Sequence, residues 1–299
     1  MNRKMAGIYR SERVEVLRAH QNADGGWGYF AGKRSWLEPT VYGLLALHEE
    51  MDTAHWQRGW NLVRSWQLPD GSWRPNQQVT EPHWSTALAV TLHCARRQYD
   101  APFRRGVEWL LEQRGEESTT MSRFLGLFME NHIGHDRKFA GWPWLPGTTS
   151  WIEPTSHALV ALKRAAPHVN LTGLRRRVAL AEAMILQRRC ADGGWNYGSR
   201  AALGIALPSY PETTALALLG LQSCADADLG QDLIRARELW QRCESRLGRA
   251  WLAVSLRSFL VEIPADERPI AKNDILATSL EALAAPNGGF LFLRPEARA

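Results

Sequence analysis

Apolar residues recur along this chain in two different ways. Residues 13–20, 56–66, 103–113, 171–187 and 229–242 place apolar side chains three and four positions apart with charged residues between them, the pattern of helices that keep one face wet. Runs beginning near Thr40, Ser85, Thr119, Thr155, Thr213 and Gly248 are apolar and small almost throughout, and read as helices buried on every side. A last outer helix is expected near Lys272. The pattern predicts about twelve helical segments, half outer and half inner, and almost no strand. The alternation slips once: residues 119–131 and 155–163 both read as inner, with a long connection over 132–150 between them.

A recurring turn stands between the outer and inner segments. Gln21-Asn-Ala-Asp24-Gly-Gly-Trp27 precedes Trp36-Leu-Glu38-Pro-Thr40, and Gln67-Leu-Pro-Asp70-Gly-Ser-Trp73 precedes Glu81-Pro-His83-Trp84. Gly141-Trp142-Pro-Trp144 precedes Trp151-Ile-Glu153-Pro-Thr155, and Asp192-Gly-Gly-Trp195 precedes Tyr210-Pro-Glu212-Thr-Thr214. Asn287-Gly-Gly-Phe290 reads as a decayed fifth turn. The glycines accept positive φ just past a helix end, and the Pro or Thr after each Glu opens the next helix. No Ser/Gly-rich linker interrupts this grammar. Residues 1–299 are therefore expected to form one closed ring of helical hairpins, with repeats over about 12–290 and a disordered tail at 294–299.

Composition sharpens the picture in one place: 14 Trp stand against 8 Phe and 6 Tyr, an unusual demand for indoles. The net charge of +5 is a modest excess spread along the chain and does not imply nucleic acid. Cys94, Cys190, Cys224 and Cys243 stand far apart with no CxxC pair, which argues against a disulfide framework and a zinc ribbon and fits a reducing cytoplasm. The first residues lack an apolar signal region, and no apolar run approaches the roughly 18 residues of a spanning helix.

The Gln…Asp-Gly-Gly/Ser-Trp turn followed by a buried helix resembles the QW repeat of squalene-hopene and oxidosqualene cyclases, and of the β subunits of protein prenyltransferases. The resemblance covers roughly residues 12–290. It implies an all-α fold, an α/α toroid of six hairpins around a central aromatic-lined apolar cavity, and an isoprenoid-like substrate. The cyclases start their chemistry with an Asp-x-Asp-Asp motif at the head of an inner helix. This chain has none, and the slot of the middle Asp holds Glu38, Glu153 or Glu212. The Asp-x-Cys zinc pair of the prenyltransferases and the Asp-rich magnesium motifs of class I terpene synthases are missing too, so no metal and no cofactor is expected.

Candidate chemistry then rests on few residues. Glu38, Glu81, Glu153 and Glu212 stand at inner-helix starts, where each either caps its helix or faces a common mouth as an acid. Glu212, followed by Thr213 instead of Pro, is the preferred proton donor, with Glu38 and Glu153 as the other candidates. Trp27, Trp73 and Trp195 read as structural, whereas Trp36, Trp84, Trp142, Trp144, Trp151 and Tyr210 flank the helix starts and are candidates for lining a cavity and stabilising cations. His83 and His157 are either substrate-facing or satisfied core histidines. Lys33, Arg34 and Arg200 lie in loops where they meet either solvent or an anionic substrate, and the apolar loop 201–208 reads as a lid or a shallow membrane contact. The leading expectation is a terpenoid cyclase-like protein, performing an acid-initiated cyclisation or isomerisation if it is an enzyme. The alternatives are a toroid that has lost its acid and only binds, and a carbohydrate-active α/α barrel.

Overall fold

Each outer helix has an apolar stripe on a charged surface and each inner helix is apolar all round, so both are buried at once when outer helices lean on a ring of inner ones. The computed structural model describes residues 3–118, 139–202, 205–264, 266 and 268–285. Among these, the outer helices are α1 (Arg3–Ala19), α3 (Ala54–Ser65), α5 (Ala101–Glu112), α7 (Leu174–Gln187) and α9 (Gly230–Arg242). The inner helices are α2 (Leu37–Ala46), α4 (Thr86–Arg96), α6 (Ile152–Ala165), α8 (Pro211–Gly220), α10 (Arg246–Ser258) and α11 (Ile275–Ala284). The inner six pack in that order, and α11 packs back against α2. The protein is an all-α α/α toroid. Its described strands are two antiparallel hairpins with two-residue arms, 142–143 with 150–151 and 201–202 with 205–206. No described helix is long and apolar enough to cross a membrane.

The segment expected as an outer helix near Lys272 is instead the sixth inner helix. From Ile275 to Ala285 every residue is buried, and its one charge, Glu281, is neutralised, so α11 has no wet face to present. The inner helix expected near Thr119, the turn at 287–290 and the tail at 294–299 lie outside the described residues.

The four turns share one geometry. Trp27, Trp73, Trp142 and Trp195 are buried and donate their indole N–H to the carbonyls of Leu17, Val63, Leu110 and Ile185 at 2.7–2.9 Å. Their backbone N–H groups donate to the hydroxyls of Thr40, Thr86, Thr155 and Thr214 at 2.8–3.0 Å, tying each turn to the helix it introduces. Asp24 and Asp70 accept the N–H two residues on, and Gln21 and Gln67 reach across to the carbonyls of His55 and Pro102 at the head of the next outer helix. Gly25 and Gly71 have φ of +94° and +93°, and a Cβ there would lie 2.6 and 2.7 Å from the backbone of Arg58 and Arg105, so only glycine fits.

The ring is also stitched backwards. The residue two after each turn Trp offers its carbonyl to an N–H at or just before the start of the preceding inner helix: Pro75 to Leu37, Trp144 to Trp84, Tyr197 to Ile152. Tyr29 does the same for Ile275, so the first turn closes onto the last helix. At that seam Glu281 is sandwiched between Arg13 (2.8 Å) and Arg246 (2.6 Å), with Arg13 and Glu281 both buried.

Candidate active site at the mouth of the ring

The shared Thr hydroxyl gives a structural alignment of the inner helices. Two residues before it stand Glu38, Glu153 and Glu212, in the first turns of α2, α6 and α8, and Trp84, just ahead of α4. Glu81, read from the sequence as one of four equivalent carboxyls, lies instead in the exposed loop before α4, because that helix starts at Thr86 and Trp84 takes the slot. On α10, Gly248 leaves the space that Glu212 uses: a Cβ there would be 2.8 Å from Glu212 Oε1.

The three carboxyls do not cap their helices. The residues before α2, α6 and α8 are Trp36, Trp151 and Tyr210, and none of these helix ends has a side-chain cap. Glu38 accepts a 2.6 Å hydrogen bond from the Tyr29 hydroxyl, and Glu212 accepts one of 3.3 Å from Ser245. Glu153 accepts none among the described residues. One turn deeper, the Tyr42 hydroxyl on α2 lies 3.4 Å from His157 Nδ1 on α6. These two helices therefore meet across the axis, with Glu38 and Glu153 each four residues before that contact on the same helical face.

Burial dominates the electrostatics. It pushes the partly exposed Glu153 carboxyl up to about 8, and the charges of Glu38 and Glu212 push the same way. Glu38 is pushed up to about 7 by burial, against the opposing pull of the Tyr29 hydrogen bond. Elsewhere buried and half-buried carboxyls hold cations: Glu281 with Arg13 and Arg246, Asp232 with Arg189, Glu182 with Lys163, Glu117 with Arg188. Among the described residues, Glu38, Glu153 and Glu212 hold none.

Below the mouth the axis is filled with rings. Trp84 stacks on His157 at 4.9 Å and meets Trp144 edge-on at 5.1 Å, while Tyr42 meets Trp251 edge-on at 5.2 Å. The gap between Tyr42, His157, Trp251 and Leu88 leaves ≈ 10 Å³ for the centre of a water-sized sphere, room for about one water. A second gap of the same size lies between α5 and α6, lined by Trp84, Trp109, Trp142 and Trp144. The wide apolar cavity that the family resemblance implies is thus largely occupied by side chains in the described ring. Burial lowers His157 to about 3 and His83 to about 4, so both are neutral at physiological pH. His157 Nε2 has no partner among the described residues, and His83 Nδ1 is 3.2 Å from the Ser85 hydroxyl.

The remaining candidates divide by position. Trp142 is one of the four turn indoles, with the Arg177 guanidinium 3.4 Å above its ring. Trp36 is partly buried against Tyr29, while Trp151 and Tyr210 are 36% and 42% exposed at the rim. Tyr197, Phe30 and Ile205 are exposed too, as are Lys33, Arg34 and Arg200. No group of three His, Cys, Asp or Glu among the described residues is placed to hold a metal ion.

Sequence reasoning missed Tyr29, Tyr42, Tyr197 and Trp251. Tyr29 and Tyr197 carried a usable signal, since an aromatic residue stands two positions after the turn Trp in three of four repeats: Tyr29, Trp144 and Tyr197. Tyr42 and Trp251 are concealed in apolar runs where any large residue reads as core.

No protein-family model matches this chain, and neither does any curated protein. Solved structures do match. The apo type II terpene cyclase MstE from Scytonema is 16% identical, with a TM-score of 0.54 over 94% of this chain and 78% of that one. A variant of that cyclase in complex with geranylgeranyl dihydroxybenzoate is 15% identical, with a TM-score of 0.53 over the same shares. The endoglucanase Cel10 from Klebsiella pneumoniae, a family 8 glycosyl hydrolase, is 16% identical with a TM-score of 0.57 over 91% of this chain and 97% of that one. At such identities the likeness establishes the fold and leaves the chemistry to the site.

Proposed function

We propose that this toroid is a terpenoid cyclase-like protein that takes an isoprenoid-like apolar molecule at the mouth of its inner ring and delivers a proton to it from Glu153. The observation that carries the reading is the convergence of Glu38, Glu153 and Glu212 from three inner helices with no cation beside them among the described residues, one of them kept protonated at neutral pH by its surroundings. Glu153 replaces Glu212 as the favoured donor because burial and two neighbouring charges hold its proton, whereas Glu212 already accepts from Ser245. An acid of this strength suits an epoxide or an allylic alcohol, whose oxygen takes the proton as the C–O bond opens, better than a plain alkene. The rings of Trp36 and Tyr29 and the carboxyl groups of Glu38 and Glu212 would then stabilise the cation. Loss of a proton back to the Glu153 carboxylate would end the reaction without a metal or cofactor: an epoxide keeps its oxygen as a hydroxyl and is isomerised or cyclised, whereas an allylic alcohol releases that oxygen as water and ends as an alkene. Exposed Phe30 and Ile205 near the mouth support delivery from a membrane surface, and four free cysteines support a cytoplasmic setting.

One observation favours a second reading. With the axis filled, the accessible part of the site is a rim bearing Trp151, Tyr197 and Tyr210 beside carboxyls, which an oligosaccharide lying across it would use as platforms. The deciding experiment incubates the protein with terpenyl epoxides and allylic alcohols in one series and with cello-oligosaccharides in another, with product masses read directly. Isomerised terpenoid from the epoxides and dehydrated terpenoid from the alcohols, either lost at least about a hundredfold in Glu153→Gln, is the expected result. Shortened oligosaccharides would transfer the site to the glycosidase reading, and binding without turnover in either series would make the toroid a binding module.

A further inference from the structure

Tyr29 joins two parts of the molecule that are otherwise far apart in sequence. Its carbonyl accepts the N–H of Ile275 at 3.0 Å, and its neighbours fix it on the same strand of contact: Phe30 bridges Asp274, and Ala31 donates to the Asn273 carbonyl at 2.9 Å. The backbone of Tyr29 is thereby locked to the head of α11, and its side chain returns to the mouth, where the ring packs against Trp36 at 5.8 Å and the hydroxyl donates to Glu38 Oε2 at 2.6 Å. Glu153, on the helix facing α2, receives no hydrogen bond among the described residues. Two carboxyls on facing helices without a cation cannot both ionise at little cost, and a hydroxyl donated to one of them favours the charged form of that one.

We propose that Tyr29 is a positioning residue of this site: its hydroxyl holds Glu38 as the carboxylate, and that charge keeps the proton on Glu153. The inference rests on the reading of these carboxyls as an acid site. It goes further by naming the group that decides which carboxyl is the acid and which the counter-charge. The other titratable groups around the pair do not compete for this role. Tyr42 is buried one turn below, where its hydroxyl faces His157; His157 and His83 are neutral; Glu212 is engaged by Ser245; Tyr197 lies at the exposed rim. Asp274 is occupied as the cap of α11, accepting from Ala277.

The experiment is a site-assigned titration of the full-length protein, following glutamate carboxyl signals by isotope-edited NMR, with Glu38→Gln and Glu153→Gln giving the assignments. In the wild type Glu38 is expected to ionise first and Glu153 last. In Tyr29→Phe the order should invert or the two steps converge, with Glu38 moving up by about one pH unit or more. Unmoved titrations in a folded Tyr29→Phe protein would overturn the proposal. Should that variant not fold, the wild type alone still tests it, because a Glu38 that ionises after Glu153 contradicts the assignment. A wrong substrate class would abolish the turnover expected above while leaving this order of ionisation intact, so the two readings fail separately.

Discussion

The carboxyl groups at the seam of this toroid and those at its mouth are buried in opposite ways. At the seam, Glu281 on the last inner helix meets Arg13 from the first outer helix and Arg246 from the neighbouring inner one, and each of its oxygens has a cationic partner within 2.8 Å. At the mouth, Glu38 holds one tyrosine hydroxyl, Glu153 on another inner helix holds none, and neither has a cation beside it among the described residues. Desolvation acts on both. At the seam it is offset by charge pairing, and at the mouth it is left to raise the affinity for a proton. A carboxyl of the first kind closes a fold, and one of the second kind is available for chemistry.

The largest effect is expected from breaking the seam. Glu281→Ala would strand two guanidinium groups, Arg13 among them nearly fully buried, and should cost about 3–5 kcal/mol. Chemical denaturation would measure it, and a loss below about 1 kcal/mol would mean that ring closure does not depend on this cluster. Trp195→Ala belongs to the same class of effect. It removes a fully buried indole together with its bond to the Ile185 carbonyl and should also cost about 3–5 kcal/mol.

The opposite sign is expected at the mouth. Glu153 holds its proton in the folded state up to about pH 8, while the unfolded chain loses it near 4.5. Between these values the native state binds more protons than the unfolded state, so this group's contribution is fully present below the unfolded value and is lost as pH rises through the folded one. Discounted for partial exposure, the loss should amount to about 1–3 kcal/mol. Glu153→Gln should accordingly leave stability unchanged near pH 4.5 and raise it progressively from there towards pH 8. Denaturation midpoints of both proteins across that range would show it. Parallel curves would mean that Glu153 is ionised throughout and is not the acid proposed.

Much of the toroid was legible because its turns are chemical. Asp-Gly-Gly-Trp specifies a turn, positive φ and a buried indole in one short string, and the Thr that receives each Trp N–H sits in the next apolar run. What failed to show was anything decided by neighbours distant in sequence. The segment after Lys272 reads as one more hairpin partner until α10 and α2 are seen to bury it on both sides. The pairing of Tyr29 with Glu38 spans only nine residues, yet its consequence for Glu153 depends on a helix more than a hundred residues away. The preference for Glu212 came from its unusual Thr neighbour. In the fold that Thr213 hydroxyl bonds to the Trp195 carbonyl at 2.7 Å, so it serves the turn.

The smallest effect sharpens the same contrast from within the repeat. Glu81 precedes a proline as Glu38 and Glu153 do, and by sequence it is their equivalent. In the structure α4 begins later in its repeat, Trp84 stands where α2, α6 and α8 carry Glu, and Glu81 lies exposed in the approach loop, accepting among the described residues only from its neighbour Thr80. Glu81→Gln should therefore change stability by no more than about 0.5 kcal/mol. It should also leave the pH dependence of unfolding superimposable on the wild type, and the order in which Glu38 and Glu153 ionise untouched. A change in either would place Glu81 within electrostatic reach of the mouth and return it to the acid cluster. Trp84→Glu makes the complementary change by placing a carboxyl in the slot that the Trp84 indole now fills against His157. It should push the Glu153 proton affinity still higher, since a further like charge then shares the mouth. The two variants together separate the slot from the motif: chemistry should follow the position two residues before the Thr hydroxyl, whichever residue the repeat happens to place there.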